Sequence, residues 1–177
     1  MYFCRINDNI MKAKQTQTEK ITDTNYKMDE KDLAILTILQ QNAKATVTEI
    51  AQKVHLSSSP TFDRIKRMEQ HGIIKQYVTL VNNSKVNRGL MVICYVSLKE
   101  HNKNAGTKFI KSILEMPEVI ECYSISGEFD FMLKVVGENM ERYYDFHVNK
   151  LSQADNVGHI QSVFVMGTIK ETLVSVY

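Results

Sequence analysis

The sequence predicts an α+β protein in two parts: a three-helix helix-turn-helix (winged-helix-like) unit, and a β-α-β-β-α-β unit joined to it by a hinge strand. Two observations predict the first part. Apolar residues repeat at helical spacing on both sides of a short interruption at His55-Leu56, and Gly72 follows the second repeat. One observation predicts the second part: after residue 90, strand-like and helix-like segments alternate in the ferredoxin-like, split βαβ order.

The N-terminal residues 1–27 are polar and have no sustained apolar period, so we predict a flexible extension there. Met28 opens the first clear apolar pattern, and it is a candidate for the natural start of the chain, with the preceding residues as a leader. A helix is predicted over Asp29–Gln41, because acidic residues in its first turn complement the helix dipole and its apolar residues form a broad face.

The second and third helices are predicted over Thr46–Val54 and Ser57–Gln70. Thr46 and Glu49 fit a capping box, and Ser57 stands where a capping residue is expected. The residues predicted to pack inward are Val47, Ile50, Ala51 and Val54 in the first of these helices and Phe62, Ile65 and Met68 in the second.

The outer face of Ser57–Gln70 carries hydroxyl and basic groups, namely Ser58, Ser59, Thr61, Arg64, Lys66 and Arg67. Short hydroxyls at a helix start and cations further along suit phosphates and base edges in a major groove, so double-stranded DNA is the predicted partner. Arg64 and Arg67 would contact phosphates or guanine edges. A helical hairpin with a solvated polar face is the alternative, because Asp63 and Glu69 keep the local charge modest. A basic arm within residues 1–27 is a second candidate DNA contact.

The hinge strand is predicted at Ile73–Val81, which is rich in β-branched residues, and turn-forming residues 82–85 follow it. The predicted domains are 1–27 (extension), 28–77 (helix-turn-helix), 78–89 (hinge or linker) and 90–177 (ferredoxin-like). In the last of these we predict strands at Leu90–Leu98, Val119–Ser126, Phe129–Val136, His159–Ile169 and Thr172–Val176, and helices at Ala105–Met116 and Met140–Leu151.

Apolar residues occupy both alternations of Leu90–Leu98 and His159–Ile169. The sheet face that the helices leave bare is therefore predicted to pack on a second copy of the chain. Cys94 and Cys122 lie in apolar strand-like runs and are predicted to be buried thiols.

Composition excludes several classes of protein. The chain is 44% hydrophobic and 24% charged with a net charge of +2, which is typical of an ordinary globular protein. Residues 90–177 carry eight basic and eleven acidic side chains, so DNA contacts are expected N-terminal to them. The three cysteines and five histidines show no metal or disulfide spacing, and no phosphate-binding glycine loop or nucleophile signature occurs. We therefore expect no cofactor, no metal and no enzymatic activity. We also expect no membrane segment and a cytoplasmic location.

Three sequence runs carry a resemblance to a known family: Met28-Asp29-Glu30-Lys31-Asp32, Leu56-Ser57-Ser58-Ser59-Pro60, and Ser126-Gly127-Glu128-Phe129-Asp130-Phe131. From Met28 to about Thr172 the chain resembles the leucine-responsive regulatory protein / asparagine synthase C regulator (Lrp/AsnC, feast/famine) family. The resemblance implies a sequence-specific transcriptional regulator. Its C-terminal domain would form homodimers, often assembled into tetramers or octamers, and would bind an amino-acid effector at interfaces between these domains.

The resemblance also implies effector-binding residues: Gly127, Glu128 and Asp130 in the hairpin, and Met140, Val163 and Val165 further along. An amino-acid zwitterion needs an acceptor for its ammonium group and donors for its carboxylate. Asp130 and the backbone N–H groups at Gly127 meet these two needs. Turn chemistry is the alternative, with a glycine at positive φ and an aspartate that bonds nearby backbone.

Two rival functions remain open at this level. One is a ferredoxin-like amino-acid sensor or small enzyme whose N-terminal helices bind a protein partner, since this fold serves many functions. The other is an effector-independent architectural DNA-binding protein. Steep weakening by salt would indicate binding to DNA phosphates, whereas docking of a protein on an apolar helix face would not show it.

Overall fold

The computed structural model describes residues 26–100 and 102–170, which fall into two compact units, residues 26–80 and residues 81–169. The first unit contains three helices: α1 (Glu30–Gln41), α2 (Val47–Val54) and α3 (Ser58–Gln70). Their inward faces form one core, made of Ile35, Leu36, Ile50, Val54, Ile65 and Met68. The predicted three-helix unit is therefore confirmed.

Local hydrogen bonds fix the ends of these helices. The Glu49 N–H donates to Thr46 Oγ1 at 3.2 Å, and the Thr46 N–H donates to Glu49 Oε2 at 2.7 Å, so the predicted capping box begins α2. The α2–α3 turn passes through His55 in the left-handed region at φ 54°. After α3, Gly72 adopts φ 68°, which a glycine accepts at no steric cost, and the Ile73 N–H reaches back to the Met68 carbonyl at 2.9 Å.

Two predictions for the first unit are wrong. Phe62 does not pack inward, because 52% of its surface is exposed, and Thr61 takes its place in the core. No strand forms at Ile73–Val81: residues 75–82 are irregular and pair with no strand among the residues that the structure describes. The physical reason is that a strand needs a partner for its backbone groups, and the described part of this chain provides none here.

The second unit begins with a single 3₁₀ turn, Asn83–Val86, and contains one four-stranded sheet. Its strands are β1 (Leu90–Leu98), β2 (Val119–Ser124), β3 (Phe131–Gly137) and β4 (Val157–Phe164). The order across the sheet is β2-β3-β1-β4 and every pairing is antiparallel. This is the predicted ferredoxin-like arrangement, with β1 at the predicted bounds and the other three strands shorter than predicted at one end or shifted by a few residues.

Two helices lie against one face of the sheet: α4 (Lys103–Leu114) and α5 (Met140–Phe146), the latter continued by a π-helical turn at His147–Leu151. The Asn139 side chain caps α5 by accepting from the Arg142 N–H, as predicted. Between the helices and the sheet lies a second core, built from the buried alternation of β1 (Val92, Cys94, Val96 and Leu98), from β3, and from Phe109, Tyr143, Phe146 and Leu151.

Some finer predictions for this unit are also wrong. The apolar periodicity of the helices predicted at Ala105–Met116 and Met140–Leu151 places Leu114 on the inward face of the first, and Met140 and Tyr144 on the apolar side of the second, but all three are exposed. Cys122 on the edge strand β2 is exposed as a residue, although partial burial of its thiol raises the pKa to about 11. Cys94 is buried as predicted, and burial raises the pKa of its thiol. The predicted strand Thr172–Val176 and most of the predicted extension 1–27 lie outside the described residues.

Candidate functional site

The exposed face of α3 retains four of the six residues predicted to contact DNA. Ser58 and Ser59 are exposed at the start of the helix, and Lys66 and Arg67 are exposed in its second half. None of these four side chains takes part in an ion pair among the described residues. Their hydroxyl and cationic groups are therefore available to an external anion.

Thr61 does not belong to this face. Its side chain is fully buried, and its Oγ1 donates to the Ser57 carbonyl at 2.9 Å. That hydrogen bond satisfies the hydroxyl inside the helix, so Thr61 packs as a core residue beside Ile65 and Met68. The prediction that Thr61 contacts DNA is wrong.

Arg64 is also engaged within the unit. Its Nη1 lies 2.7 Å from Asp29 Oδ2 and 2.8 Å from Asp32 Oδ1, and only 22% of its side chain is exposed. Asp32 is buried, and it also accepts from the Tyr26 hydroxyl at 2.9 Å. The guanidinium of Arg64 therefore compensates two carboxylates within the unit, one of them buried, and this does not favour the predicted DNA contact.

The electrostatics of this cluster follow from its hydrogen bonds. Those from Arg64 to Asp32 and Asp29 raise the pKa of the guanidinium. The pKa of Asp29 lies below its usual value, first because of the backbone N–H of Asp32 and then because of Arg64. Burial, and then the bond to Asp32, raise the pKa of Tyr26. Arg64 thus ties the start of α1 to the middle of α3.

A ring stack orients Arg67 beside that cluster. The Arg67 guanidinium carbon lies 5.8 Å from the centre of the Tyr26 ring, and Tyr26 stacks on His71 with a centroid distance of 4.9 Å. An arginine over an aromatic face keeps its hydrogen-bond donors free at its edge. Arg67 is therefore positioned without being neutralised, unlike Arg64.

The start of α3 presents further unpaired groups. Ser57 occupies the N-cap position, as predicted, but its side chain makes no capping hydrogen bond. The first turn contains no acidic residue. The backbone N–H groups of a helix start and the nearby hydroxyls of Ser57, Ser58 and Ser59 form a typical contact for a phosphate.

Phe62 is the residue of this face that sequence reasoning missed. It lies three positions after Ser59 and four before Lys66, so helical periodicity places the three side chains on one face. Its ring is half exposed although it is large and apolar. The helical period was the available signal. Thr61, Ile65 and Met68 are spaced by four and then by three residues, as the residues of one buried helix face are, and this leaves Phe62 on the exposed face.

The second predicted site, the hairpin between β2 and β3, is built around Gly127 and Asp130. Gly127 adopts φ 126°, a conformation that other residues rarely adopt. The Asp130 N–H donates to the Val96 carbonyl at 2.9 Å, and its Oδ2 accepts from the Leu98 N–H at 2.8 Å. Asp130 thus extends the hydrogen bonding of β1, as the turn-chemistry alternative expects, whereas the carboxylate of Glu128 is exposed.

The six predicted effector residues do not meet within one protomer. Gly127, Glu128 and Asp130 precede β3, whereas Met140 follows it. Val163 pairs opposite Ile93, which pairs with Lys134 at the middle of β3, and the Val165 N–H donates to the Met91 carbonyl, near the far end of β3. Measured along the strand from Asp130, Val163 is therefore roughly 13 Å away, and Val165 and Met140 are roughly 20 Å away. A single small ligand cannot contact the hairpin and these residues in one chain.

No group of three or more His, Cys, Asp or Glu side chains in the described residues is placed to hold a metal ion. No helix in this part of the chain is both long enough and apolar enough to cross a membrane.

Two family models match different parts of the chain, one on each side of the boundary between its two units. Residues 28–75 match the family model described as winged helix-turn-helix DNA-binding. Residues 91–174 match the model described as the Lrp/AsnC ligand binding domain.

Several characterised relatives match along most of their length. The transcriptional regulator AzlB of Bacillus subtilis is 33% identical over 146 residues, which cover 82% of this chain and 93% of the relative. The leucine-responsive regulatory protein of Rhizobium meliloti is 32% identical, over 81% of this chain and 92% of its own.

Solved structures agree with these matches. A transcriptional regulator from Neisseria meningitidis, crystallised as a complex with L-Met, superposes with a TM-score of 0.80 at 35% identity, covering 82% of this chain and 94% of that one. An AsnC family transcriptional regulator from Agrobacterium tumefaciens superposes with a TM-score of 0.78 at 34% identity, over 82% and 94% of the two chains.

Proposed function

The chain belongs to the Lrp/AsnC family of DNA-binding transcriptional regulators, and from this premise we propose that it reads DNA with the exposed face of α3 and answers to an amino acid. The observation that carries the DNA interface is the contrast within α3. Lys66 and Arg67 project unpaired beside exposed hydroxyls, whereas the equally basic Arg64 is held by two carboxylates.

The proposed interface divides its contacts between phosphate and base. Ser57, Ser58, Ser59 and the free N–H groups of the first turn hold a backbone phosphate, which fixes the register of the helix. Lys66 and Arg67 reach phosphates or guanine edges in the major groove. Phe62 lies between them and contacts the 5-methyl group of a thymine, an apolar contact that carries sequence information.

The role of Phe62 can be tested with a single methyl group. Sites are first selected from random duplexes with the wild-type protein, and each conserved thymine is then replaced by uracil. We expect one such replacement to weaken binding by the wild type and to leave the affinity of the Phe62→Ser variant unchanged. Equal effects on both proteins at every thymine would remove Phe62 from the interface.

We further propose that two copies pack through the open face of the sheet. Met91, Ile93 and Tyr95 point away from the helices, opposite the buried alternation of β1, and Tyr123 and Val163 extend the same apolar face toward both edges. The irregular segment after α3 also exposes apolar side chains, namely Tyr77, Val78, Leu80 and Val81. Such surfaces typically mark protein–protein contacts. A dimer would also present two copies of α3 to half-sites about one helical turn apart.

Light scattering after size exclusion tests the dimer. The wild type should elute at a mass of two chains or a multiple of two. Ile93→Glu should shift it toward one chain, and Met166→Glu, a control at an exposed position, should not. An unchanged mass for Ile93→Glu would contradict packing through this face.

The proposed effector site is the 125–130 hairpin of one copy, completed by residues of another. This arrangement accounts for the separation of Gly127, Glu128 and Asp130 from Met140, Val163 and Val165 within one chain. Because Asp130 Oδ2 already bonds to the Leu98 N–H, we assign the ammonium contact to the exposed carboxylate of Glu128. Assembly to tetramers or octamers would follow if such contacts join dimers.

Thermal unfolding in the presence of each amino acid tests the effector proposal, and L-Met is the first candidate because the Neisseria relative was crystallised with it. A ligand that binds the folded state raises its stability by about 2.7 kcal/mol at a hundredfold excess over Kd. We expect a selective increase that Glu128→Gln reduces. No increase with any amino acid would contradict the ligand response and would leave an effector-independent regulator.

A further inference from the structure

An open cleft of about 460 Å³ lies beside α5, at the end of β3 opposite the hairpin. Its walls come from the residues just before β1, the segment leading into β2, the end of β3, and α5 with the π-helical turn. This volume is within the range of small-molecule sites, about 300–1,000 Å³. None of the six predicted effector residues lines it.

The cleft combines both signs of charge over an apolar base. Arg88 and Arg142 face it, and neither side chain has an ion-pair partner among the described residues. Val86, Pro117 and Phe146 supply apolar wall. The carboxylates of Glu118, Glu138 and Asp145 line the same cleft, but neither arginine forms an ion pair with any of them among the described residues. Guanidiniums without a paired carboxylate favour an external anionic group, and arginine forks match carboxylate geometry.

Glu118 offers an acceptor for a positively charged group in the same cleft. Its Oε1 accepts from Lys150 Nζ, but its Oε2 is shielded from solvent and has no hydrogen-bond partner among the described residues. The backbone of Glu118 is fixed, because its carbonyl accepts from the Val136 N–H at 2.9 Å. A buried carboxylate oxygen without a donor is unfavourable, so a ligand that brings a donor gains the bond without displacing a partner.

From these features we propose that the cleft is a second ligand site of this chain, for a free α-amino acid. Arg88 and Arg142 bind its carboxylate, Glu118 Oε2 accepts from its ammonium group, and its side chain lies along Val86, Pro117 and Phe146. The site is formed within one protomer, on the helix-covered side of the sheet. It extends the proposed ligand response by adding a site that the hairpin does not share.

Calorimetric titration of the full chain with each common amino acid tests the proposal. We expect at least one to bind with an affinity that Arg142→Gln and Glu118→Gln each lower about tenfold or more, the usual scale for losing a charge-assisted hydrogen bond. Glu121→Gln is the matched control. It removes the same charge from a similar lysine pair, with Lys134 Nζ at 3.2 Å, outside the cleft.

Two analogues of the bound amino acid assign its groups. The N-acetyl derivative lacks the ammonium, so it should bind the wild type weakly, and Glu118→Gln should not weaken it further. The amino-acid amide lacks the carboxylate, so it should bind the wild type weakly, and Arg142→Gln should not weaken it further. Equal binding of either analogue and the parent to the wild type would overturn the assignment.

The hairpin variant Glu128→Gln separates this inference from the proposed effector site. Binding that survives Glu128→Gln and is lost in Arg142→Gln supports the cleft. Binding lost in Glu128→Gln and unchanged in both cleft variants would overturn the cleft and uphold the hairpin. No heat with any amino acid would overturn both, while DNA binding, measured separately, would still test the regulator.

Discussion

Replacing Arg64 should unfold the first unit more easily without removing a DNA contact. In the Arg64→Met variant, the buried Asp32 loses the partner of its Oδ1, which lies 2.8 Å away, and Asp29 loses a partner at 2.7 Å. Methionine retains much of the apolar length of the side chain, so the change isolates the charge. We expect lower stability and unchanged contacts on the outer face of α3.

The magnitude follows from the burial of the two carboxylates. Removing one partner of a fully buried pair costs about 3–5 kcal/mol. Here Asp32 Oδ2 keeps two donors, the Tyr26 hydroxyl at 2.9 Å and the Asp29 N–H at 3.1 Å, which reduces the loss. The Asp29 side chain is 52% exposed, so its pair contributes only about 0.2–1 kcal/mol. We therefore expect a total of roughly 2–4 kcal/mol.

Urea unfolding measures this directly, with Lys66→Met as the matched control. Lys66 is exposed on the same helix and belongs to no ion pair among the described residues, so its replacement should change the free energy of unfolding by less than about 0.5 kcal/mol. DNA affinity, measured well below the unfolding midpoint, should fall in Lys66→Met and stay unchanged in Arg64→Met. Equal stabilities of the two variants, or lost DNA affinity in a folded Arg64→Met protein, would refute this account of Arg64.

Three further predictions concern caps, turns and pH. Thr46→Ala should lower the free energy of unfolding by about 0.5–2 kcal/mol in a urea titration, because it removes the capping box of α2, whereas the exposed Thr48→Ala should change it little; equal effects would contradict the cap. Gly127→Ala should cost about 1–3 kcal/mol in the same assay because φ is 126°, and Gly167→Ala, whose position has open space, should be neutral; a neutral Gly127→Ala would remove the strain argument. The folded-state pKa of Asp29 is lowered, so its contribution to stability is present above its unfolded pKa of about 4 and is lost as pH falls through the folded value. Between pH 5 and pH 3, the free energy of unfolding should therefore fall less for Asp29→Asn than for the wild type in a denaturant titration. An equal or larger fall for Asp29→Asn would contradict the assigned bonds.

The sequence was sufficient where structure depends on neighbouring residues. The capping box at Thr46, the positive-φ glycine at Gly72 and the Asn139 cap are interactions over three or four residues, and all three are present. The strand order also followed from the succession of elements, because the split βαβ arrangement leaves few alternatives.

Pairs distant in sequence could not be predicted in the same way. Arg64 has the residue type and the helical position of a DNA contact, and its bonds to Asp29 and Asp32, more than thirty residues earlier, are visible only in the fold. Thr61 was misassigned because a threonine counts as polar until its hydroxyl finds the Ser57 carbonyl. The separation of Met140 from the hairpin follows from the length of β3, whose bounds place the two at opposite ends.

The most direct test of the DNA interface is the salt dependence of binding to a site selected from random duplexes. For the wild type, the logarithm of the affinity should fall steeply and linearly with the logarithm of salt concentration. Lys66→Gln and Arg67→Gln should each reduce the magnitude of that slope by about one if they neutralise phosphates, and Arg64→Met should leave it unchanged. A failure to select any sequence, or a slope that responds to Arg64 and not to Lys66 or Arg67, would contradict the proposed reading face.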